Sequence, residues 1–149
     1  ATLRFLMRYL IVDGHSIIFQ WPELRAMHGR RGGAARDELV RRLTQYQDAT
    51  DIRVVAVFDG RSEKQNEATE PGGIQIFYSK VGQTADAIIE RLCAKYAKLH
   101  DIVVATDDHM ERQTALTFGA STVSSEMLKT LLEDADRDLQ RRIEKHRKG

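Results

Sequence analysis

Short apolar runs and longer segments with helical spacing alternate along the chain. A short apolar run bounded by polar or turn-forming residues predicts a strand, and apolarity without alternation predicts burial on both faces. Five such strands are predicted, at 9–12, 54–58, 74–78, 102–105 and 120–123.

Helices are predicted between these strands. Apolar residues recur at intervals of three and four positions, which is typical of amphipathic helices. Thr84 is the expected N-cap of one helix, and Gly119 ends another. The predicted helices cover 34–47, 84–96, 108–118 and a final segment that begins at Ser124 or Ser125.

Two segments rich in glycine, 28–33 and 60–73, are predicted to be loops. A helical turn is expected at 17–20, and Pro22 disfavours helix at the residue before it. Strands that alternate with helices predict an α/β fold, in which a parallel sheet is covered by helices on both faces.

Composition adds that the chain is an ordinary single-domain protein, since its 149 residues are 42% hydrophobic and 30% charged. We expect one domain over 1–149, in which 1–8 form an N-terminal extension or lead into the first strand. Residues 137–149 form the basic end of the last helix. The formal net charge is only +1, so any contact with nucleic acid needs local clusters of cations.

No apolar run is long enough to span a membrane, and no signal-peptide pattern is found. Cys93 is the single cysteine, so an intrachain disulfide is excluded. Its position on an apolar helix face predicts a small buried hydrophobe rather than a reactive thiol. A cytoplasmic location is therefore expected.

Aspartates follow three of the predicted strands, and another begins a predicted helix. Ligands of open α/β sheets bind beyond the carboxyl ends of the strands, so these side chains are expected at one edge of the sheet. Carboxylates there could share a divalent cation such as Mg²⁺, which prefers hard oxygen ligands. The residues concerned are Asp13, Asp59, Asp86, Asp107 and Asp108.

Each aspartate also has a structural explanation. Asp107 and Asp108 precede a helix, and capping explains them about as well as catalysis does. Asp86 in a first helical turn gains from the helix dipole, and Asp59 with Gly60 forms an ordinary turn dipeptide. Asp13 is harder to explain in this way, because it ends a predicted central strand where an unpartnered carboxylate is costly.

Other site chemistries find little support. The five histidines are scattered and cysteine clusters are absent, which argues against zinc. The phosphate-binding loop of nucleotide hydrolases, the dinucleotide-binding glycine motif and the nucleophile elbow of hydrolases are also absent.

The ordered set of motifs resembles the YacP-like branch of the NYN domain family, within the PIN-like nuclease superfamily. The resemblance covers nearly the whole chain from Tyr9. One departure is notable: the family commonly has Tyr-Asn after Asp13-Gly14, and His15-Ser16 stand there instead. The motifs include Leu10-Ile11-Val12-Asp13-Gly14, Trp21-Pro22, Ala35-Arg36-Asp37, Val57-Phe58-Asp59, Thr84-Ala85-Asp86, and Val104-Ala105-Thr106-Asp107-Asp108 with Glu111.

The resemblance implies a PIN-like three-layer fold with about five parallel strands in the order 3-2-1-4-5. It also implies an endoribonuclease that uses Mg²⁺ or Mn²⁺, since some members cut RNA, including messenger RNA in the ribosome. Asp13, Asp86 and Asp108 correspond to metal ligands of the family. Asp59 corresponds to a ligand or a neighbour of one, and Asp107 to a variable position from which a general base could act.

Basic groups near the predicted site would contact RNA phosphates. A solvated loop explains those in the loops equally well. His15, Phe19 and Trp21 could stack a base, although packing explains Trp21 better. The predicted RNA-binding residues are His15, Ser16, Arg25, Arg30, Arg31, Lys64 and Lys80.

Two other functions stay open at this point. The domain could grip RNA or a protein partner without cutting, or it could be a metal-dependent phosphatase for small substrates. The open glycine-rich loops argue against the second, which needs a closed pocket. RNA and the ribosome are the expected partners.

Overall fold

The computed structural model describes residues 7–30, 33–60, 67–69, 73–80 and 82–148. The described chain alternates strands with helices, as the sequence predicts. The strands are β1 (Arg8–Asp13), β2 (Arg53–Phe58), β3 (Glu67–Thr69), β4 (Gln75–Tyr78), β5 (Asp101–Ala105) and β6 (Ser121–Val123). The helices are α1 (Gly14–Gln20), α2 (Pro22–Arg30), α3 (Ala34–Ala49), α4 (Ala85–Tyr96), α5 (His109–Thr117) and α6 (Ser125–Lys148).

All six described strands form one sheet in the order β3-β4-β2-β1-β5-β6. The five strands predicted from the sequence are parallel and have the spatial order 3-2-1-4-5, which confirms the predicted topology. β1 is central and pairs with β2 and β5, so Val12 lies opposite Ala105. The residues that follow these two strands, Asp13 and Thr106, are therefore neighbours at the carboxyl edge.

Helices cover both faces of the sheet and give three layers. One core joins α1, α2, α3 and α6 to one face through fully buried residues such as Ile17, Leu24, Leu39 and Leu128. The other core joins α4 and α5 to the opposite face. Cys93 lies in this second core at 1% exposure, and burial raises the pKa of its thiol to about 11. Cys93 is therefore the buried hydrophobe that the sequence predicts.

Several segments differ from the sequence prediction. α1 begins three residues before the predicted helical turn at 17–20, and α2 covers 22–27, where no helix is predicted. The segment 60–73, predicted to be a loop, contains the short strand β3, which pairs antiparallel with β4. The segment 28–30, also predicted to be a loop, forms the last turn of α2. Gly29 has a normal helical backbone, and a Cβ there would meet no other atom. Its glycine thus weakens the helix by about 1 kcal/mol without ending it.

The predicted helix ends are confirmed. The Thr84 hydroxyl accepts a hydrogen bond from the Ala87 N–H, and Gly119 has a φ of 95°, a conformation that favours glycine. Trp21 is extended between α1 and α2, as expected before Pro22. Among the described residues, no helix has the length and apolarity needed to cross a bilayer.

Candidate metal centre at the carboxyl edge of the sheet

Asp13 occupies the junction between the central strand and α1. The residue is 5% exposed. One carboxylate oxygen accepts a hydrogen bond from the Ser16 N–H at 3.4 Å and so caps α1. The other accepts from the Thr106 hydroxyl at 3.0 Å. Because Thr106 is itself fully buried, these contacts hold the carboxylate in one orientation.

Asp86 reaches the same edge from the first turn of α4 and is exposed. The start of α4 is fixed by Thr84 and by Asp59. One oxygen of Asp59 accepts from the Ala85 N–H at 3.1 Å and from the Ser79 hydroxyl at 3.4 Å. Asp59 therefore positions the helix turn that carries Asp86.

Glu111 enters the site from α5. Asp108 is the N-cap of this helix, and its side chain accepts from the Glu111 N–H at 3.0 Å. In a complete capping box the glutamate would accept from the N-cap N–H in return. Here the Asp108 N–H donates to the Thr106 hydroxyl instead, at 3.1 Å. The Glu111 carboxylate is consequently not used in capping.

Three carboxylates converge at this point. One oxygen each from Asp13, Asp86 and Glu111 lies within 4.8 Å of the other two. Glu111 is 4% exposed, and neither of its oxygens receives a hydrogen bond from a described residue. A buried carboxylate without a donor is costly unless a proton or a cation compensates it.

The electrostatics of the metal-free cluster follow from this crowding. Burial, followed by contact with Asp86 and Asp13, raises the pKa of Glu111 to about 10. Burial also raises the pKa of Asp13, and the adjacent Glu111 together with hydrogen bonds from Thr106 and Ser16 offsets part of that rise. Burial and the neighbouring carboxylates thus favour the protonated form of Glu111 when no cation is bound.

A divalent cation fits this donor set. Three hard carboxylate oxygens from three separate elements match the ligands that Mg²⁺ and Mn²⁺ prefer. The exposed side of Asp86 leaves room for water and substrate as further ligands. A bound cation would also compensate the two Glu111 oxygens that have no hydrogen-bond donor. We call Asp13, Asp86 and Glu111 the metal centre, as the candidate site for such a cation.

Asp108 and Asp107, predicted to act in catalysis, have structural partners. The described cluster brings Asp13 together with Asp86 as predicted, but its third member is Glu111 rather than Asp108. Asp108 lies exposed at the start of α5, where it caps the helix. Asp107 binds Ser125: its carboxylate accepts from the Ser125 N–H at 2.8 Å and from the Ser125 hydroxyl. This position anchors the start of α6.

Asp107→Ala is expected to lower the free energy of unfolding by about 1–3 kcal/mol, because it leaves the Ser125 N–H and hydroxyl without an acceptor. Arg112, 3.6 Å from the same carboxylate, also loses its ion pair, although its Nε–H still donates to the Thr106 carbonyl. Chemical denaturation monitored by circular dichroism measures the change. Asp136→Ala, at an exposed position of α6, is the matched control and should change stability little. Equal stability of the two variants would contradict the anchoring role.

The predicted RNA-binding residues are only partly grouped around the metal centre. His15 is exposed in the first turn of α1, and Lys80 is exposed just after β4. Arg25 is exposed on α2. The Ser16 hydroxyl accepts from the Asp107 N–H at 2.9 Å, so its partner is protein backbone. The Arg30 side chain, Arg31 and Lys64 lie outside the described residues.

The basic end of α6 is exposed, as the sequence predicts. Arg137 and Arg141 form ion pairs with Asp134 and Asp138, each three residues earlier on the helix. Arg142 donates to the Ala49 carbonyl at 3.1 Å. These contacts are typical of a solvated helix surface.

Glu111 and Thr106 are site residues that the residue-by-residue reasoning did not select. Glu111 stands three residues after Asp108, a spacing that indicates a capping box and so gives no separate indication of a candidate ligand. Thr106 is indicated only by the strand pairing. Val12 lies opposite Ala105, so the next residues, Asp13 and Thr106, lie side by side.

Comparison with known proteins agrees with this fold. The family model described as the YacP-like NYN domain matches residues 10–149. The protein YacP of Bacillus subtilis (strain 168) is 32% identical over 141 residues, which cover 93% of this chain and 83% of that protein.

Two crystal structures of Rae1 (YacP) from Bacillus subtilis are also similar. One, of a single-residue mutant, has a TM-score of 0.79 at 30% identity and covers 95% of this chain and 84% of its own. The other has a TM-score of 0.76 at 33% identity and covers 93% and 81%. The chain therefore belongs to the YacP-like NYN domain family.

Proposed function

We propose that this protein is a metal-dependent endoribonuclease that hydrolyses phosphodiester bonds at the metal centre. The observation that carries the proposal is Glu111, a buried carboxylate with no described hydrogen-bond donor, placed against Asp13 and Asp86. Membership of a nuclease-like family supports RNA as the substrate class.

The protein's residues divide into ligands and supports. Asp13, Asp86 and Glu111 hold Mg²⁺ or Mn²⁺, while Asp108 lies at the start of the same helix as Glu111 and faces solvent. Thr106 orients Asp13 through its hydroxyl, and Asp59 orients Asp86 through the Ala85 N–H. The rigid strand and helix ends keep the carboxylates in place before substrate arrives, which limits reorganisation during the reaction.

When bound, a divalent cation supplies positive charge for the phosphate and lowers the pKa of water. In the hydrolysis, a water oxygen forms a bond to phosphorus, the bond to one ribose oxygen breaks, and that oxygen takes up a proton. A carboxylate outside the three ligands, such as the exposed Asp108, can accept the proton lost by the water. Asp107 is poorly suited to this task, because Ser125 occupies both of its oxygens.

Cations around the centre attract the polyanionic substrate. Lys80 and Arg25 are exposed, and Arg36 is half-buried near Asp59. Contacts from such groups to phosphate add affinity without sequence preference. Messenger RNA, either free or on the ribosome, is the proposed substrate.

Asp86→Asn should lower the rate of RNA cleavage by about 100-fold or more, which is typical for loss of a group that organises transition-state charge. Because Asp86 is exposed, the variant should fold normally. The assay follows labelled single-stranded RNA, and messenger RNA on ribosomes, with Mn²⁺ or with a chelator. Glu90→Gln, one turn further along α4 and also exposed, is the matched control.

Cleavage that is independent of Mn²⁺, or equally fast in Asp86→Asn and the wild type, would contradict the assignment of the metal centre. Binding of RNA without cleavage in any condition would favour a non-catalytic RNA-binding module. Hydrolysis of small phosphate monoesters alone would favour a phosphatase.

A further inference from the structure

A small cleft of about 70 Å³ lies beside the metal centre, on the side of α1 and α2. We call it the aromatic cleft; the residues that matter for the argument are His15, Phe19, His28, Arg36 and Asp59. It begins in the first turn of α1, two residues after the metal-centre residue Asp13. A substrate phosphate at the metal centre would thus place the neighbouring nucleotide within reach of this cleft.

Three aromatic rings form a continuous exposed group at the cleft. The ring centroids of His15 and Phe19 are 4.5 Å apart, and those of Phe19 and His28 are 5.0 Å apart. Phe19 is 36% exposed although it is a large apolar residue, and both histidines are exposed. A solvent-exposed phenylalanine between two imidazoles is the kind of surface on which nucleobases stack.

Arg36 adds a fixed cation. Its guanidinium carbon lies 5.7 Å from the ring centroid of Phe58 and 5.3 Å from that of Tyr78. These two rings are themselves stacked, with centroids 5.9 Å apart. Contact with both rings holds the planar guanidinium, whose N–H groups suit a phosphate.

Two other groups, the Asp59 carboxylate and the Trp21 indole, already have partners within the protein. The carboxylate of Asp59 is bonded to Ser79 and Ala85, so it supports α4. Trp21, which the sequence offered as a stacking residue, is 3% exposed, and its indole N–H donates to the Ser125 carbonyl. Stacking is therefore left to the His15–Phe19–His28 group.

We propose that the aromatic cleft binds one nucleobase of single-stranded RNA, stacked against Phe19 and the two imidazoles, with Arg36 contacting the phosphate of that nucleotide. The substrate class rests on the proposed function. Stacking tolerates any base, so the cleft supplies affinity and register, fixing which phosphate reaches the metal centre.

The test measures binding without cleavage. A short fluorescein-labelled single-stranded RNA is titrated with protein in chelator, and fluorescence anisotropy gives Kd. A set of otherwise identical RNAs carries one abasic nucleotide at successive positions. For the wild type, one position should weaken binding by roughly tenfold, the expected loss for one stacked base. In Phe19→Ala, the same abasic RNA should bind as well as the intact RNA.

Two further variants make the result specific. Leu99→Ala removes another exposed apolar side chain, near the start of β5, and it should keep the wild-type position dependence. Arg36→Gln should weaken binding of every RNA in the set by a similar factor. Thermal melting checks that each variant is folded.

The outcomes separate this inference from the proposed function. Nucleobase binding in the aromatic cleft would be contradicted if RNA does not bind, if binding does not depend on the abasic position, or if Phe19→Ala keeps the wild-type dependence. This holds even if Mn²⁺-dependent cleavage is observed. A position dependence that Phe19→Ala abolishes supports the cleft, even if Mn²⁺ produces no cleavage and the nuclease assignment fails.

Discussion

Glu111→Gln is expected to stabilise the metal-free protein at neutral pH by up to about 3 kcal/mol, the cost of keeping the carboxyl protonated roughly 2.5 pH units above its unfolded pKa. In the unfolded chain the carboxyl is ionised at pH 7, whereas in the folded metal-free protein it must keep its proton. Glutamine removes this cost, because it has the same shape and does not ionise. Chemical denaturation in chelator measures the difference.

The pH dependence has a definite sign. The pKa of Glu111 is about 10 in the folded state and near 4.5 in the unfolded chain, so the folded state binds the proton more tightly between these values. The stability of the metal-free wild type should therefore fall as pH rises above about 4.5. Glu111→Gln should lack this component of the fall.

With Mn²⁺ bound, the wild type should become more stable than Glu111→Gln. At a Mn²⁺ concentration of about 1,000 times Kd, the wild type should gain about 4.1 kcal/mol, and Glu111→Gln should gain much less. Glu90→Gln is the control and should behave as the wild type in both conditions. If Glu111→Gln is destabilised in chelator, or if Mn²⁺ raises its melting temperature fully, Glu111 is not a ligand.

Thr106→Val should lower Mn²⁺ affinity about 10- to 100-fold, the usual effect of removing a group that orients a metal ligand. It should also lower the free energy of unfolding by about 1–3 kcal/mol. Valine keeps the branched shape, but it removes the donor to Asp13 and the acceptor for the Asp108 N–H. Calorimetric titration with Mn²⁺ and chemical denaturation give the two values.

Thr106→Ser separates the hydroxyl from the methyl group. Serine keeps both hydrogen bonds and loses one buried methyl, so it should bind Mn²⁺ nearly as tightly as the wild type. Equal Mn²⁺ affinity in the valine and serine variants would show that the hydroxyl does not orient Asp13.

Much of the fold follows from local sequence patterns. The five parallel strands are recognisable as short runs between turn-forming residues, and burial on both faces makes β1, β2 and β5 the most apolar. The resemblance to the NYN family supplied their order. β3 escapes prediction because its three residues, 67–69, have no apolar pattern and acquire strand structure only by pairing with β4. The last turn of α2 was mistaken for loop because Gly29 is compatible with both structures.

The sequence predicts where the candidate site lies, but it does not predict all of the residues that form it. Asp13 and Asp86 were identified because a strand end and a helix start place carboxylates at the same edge. Glu111 was hidden, because its spacing from Asp108 has an ordinary capping explanation. Which way the Glu111 side chain turns depends on Thr106, which takes the Asp108 N–H. Such competition between partners is a property of the folded structure and not of a local pattern.

The hydrogen bond from Thr106 to Asp13 joins residues 93 positions apart, and this separation has a consequence during synthesis of the protein. A nascent chain that has already formed β1 carries Asp13 without its orienting hydroxyl and without Glu111. The centre is completed only after β5 and α5 have emerged and docked. Under the proposed function, the growing enzyme is thereby inactive toward the messenger that encodes it until most of the polypeptide has been made.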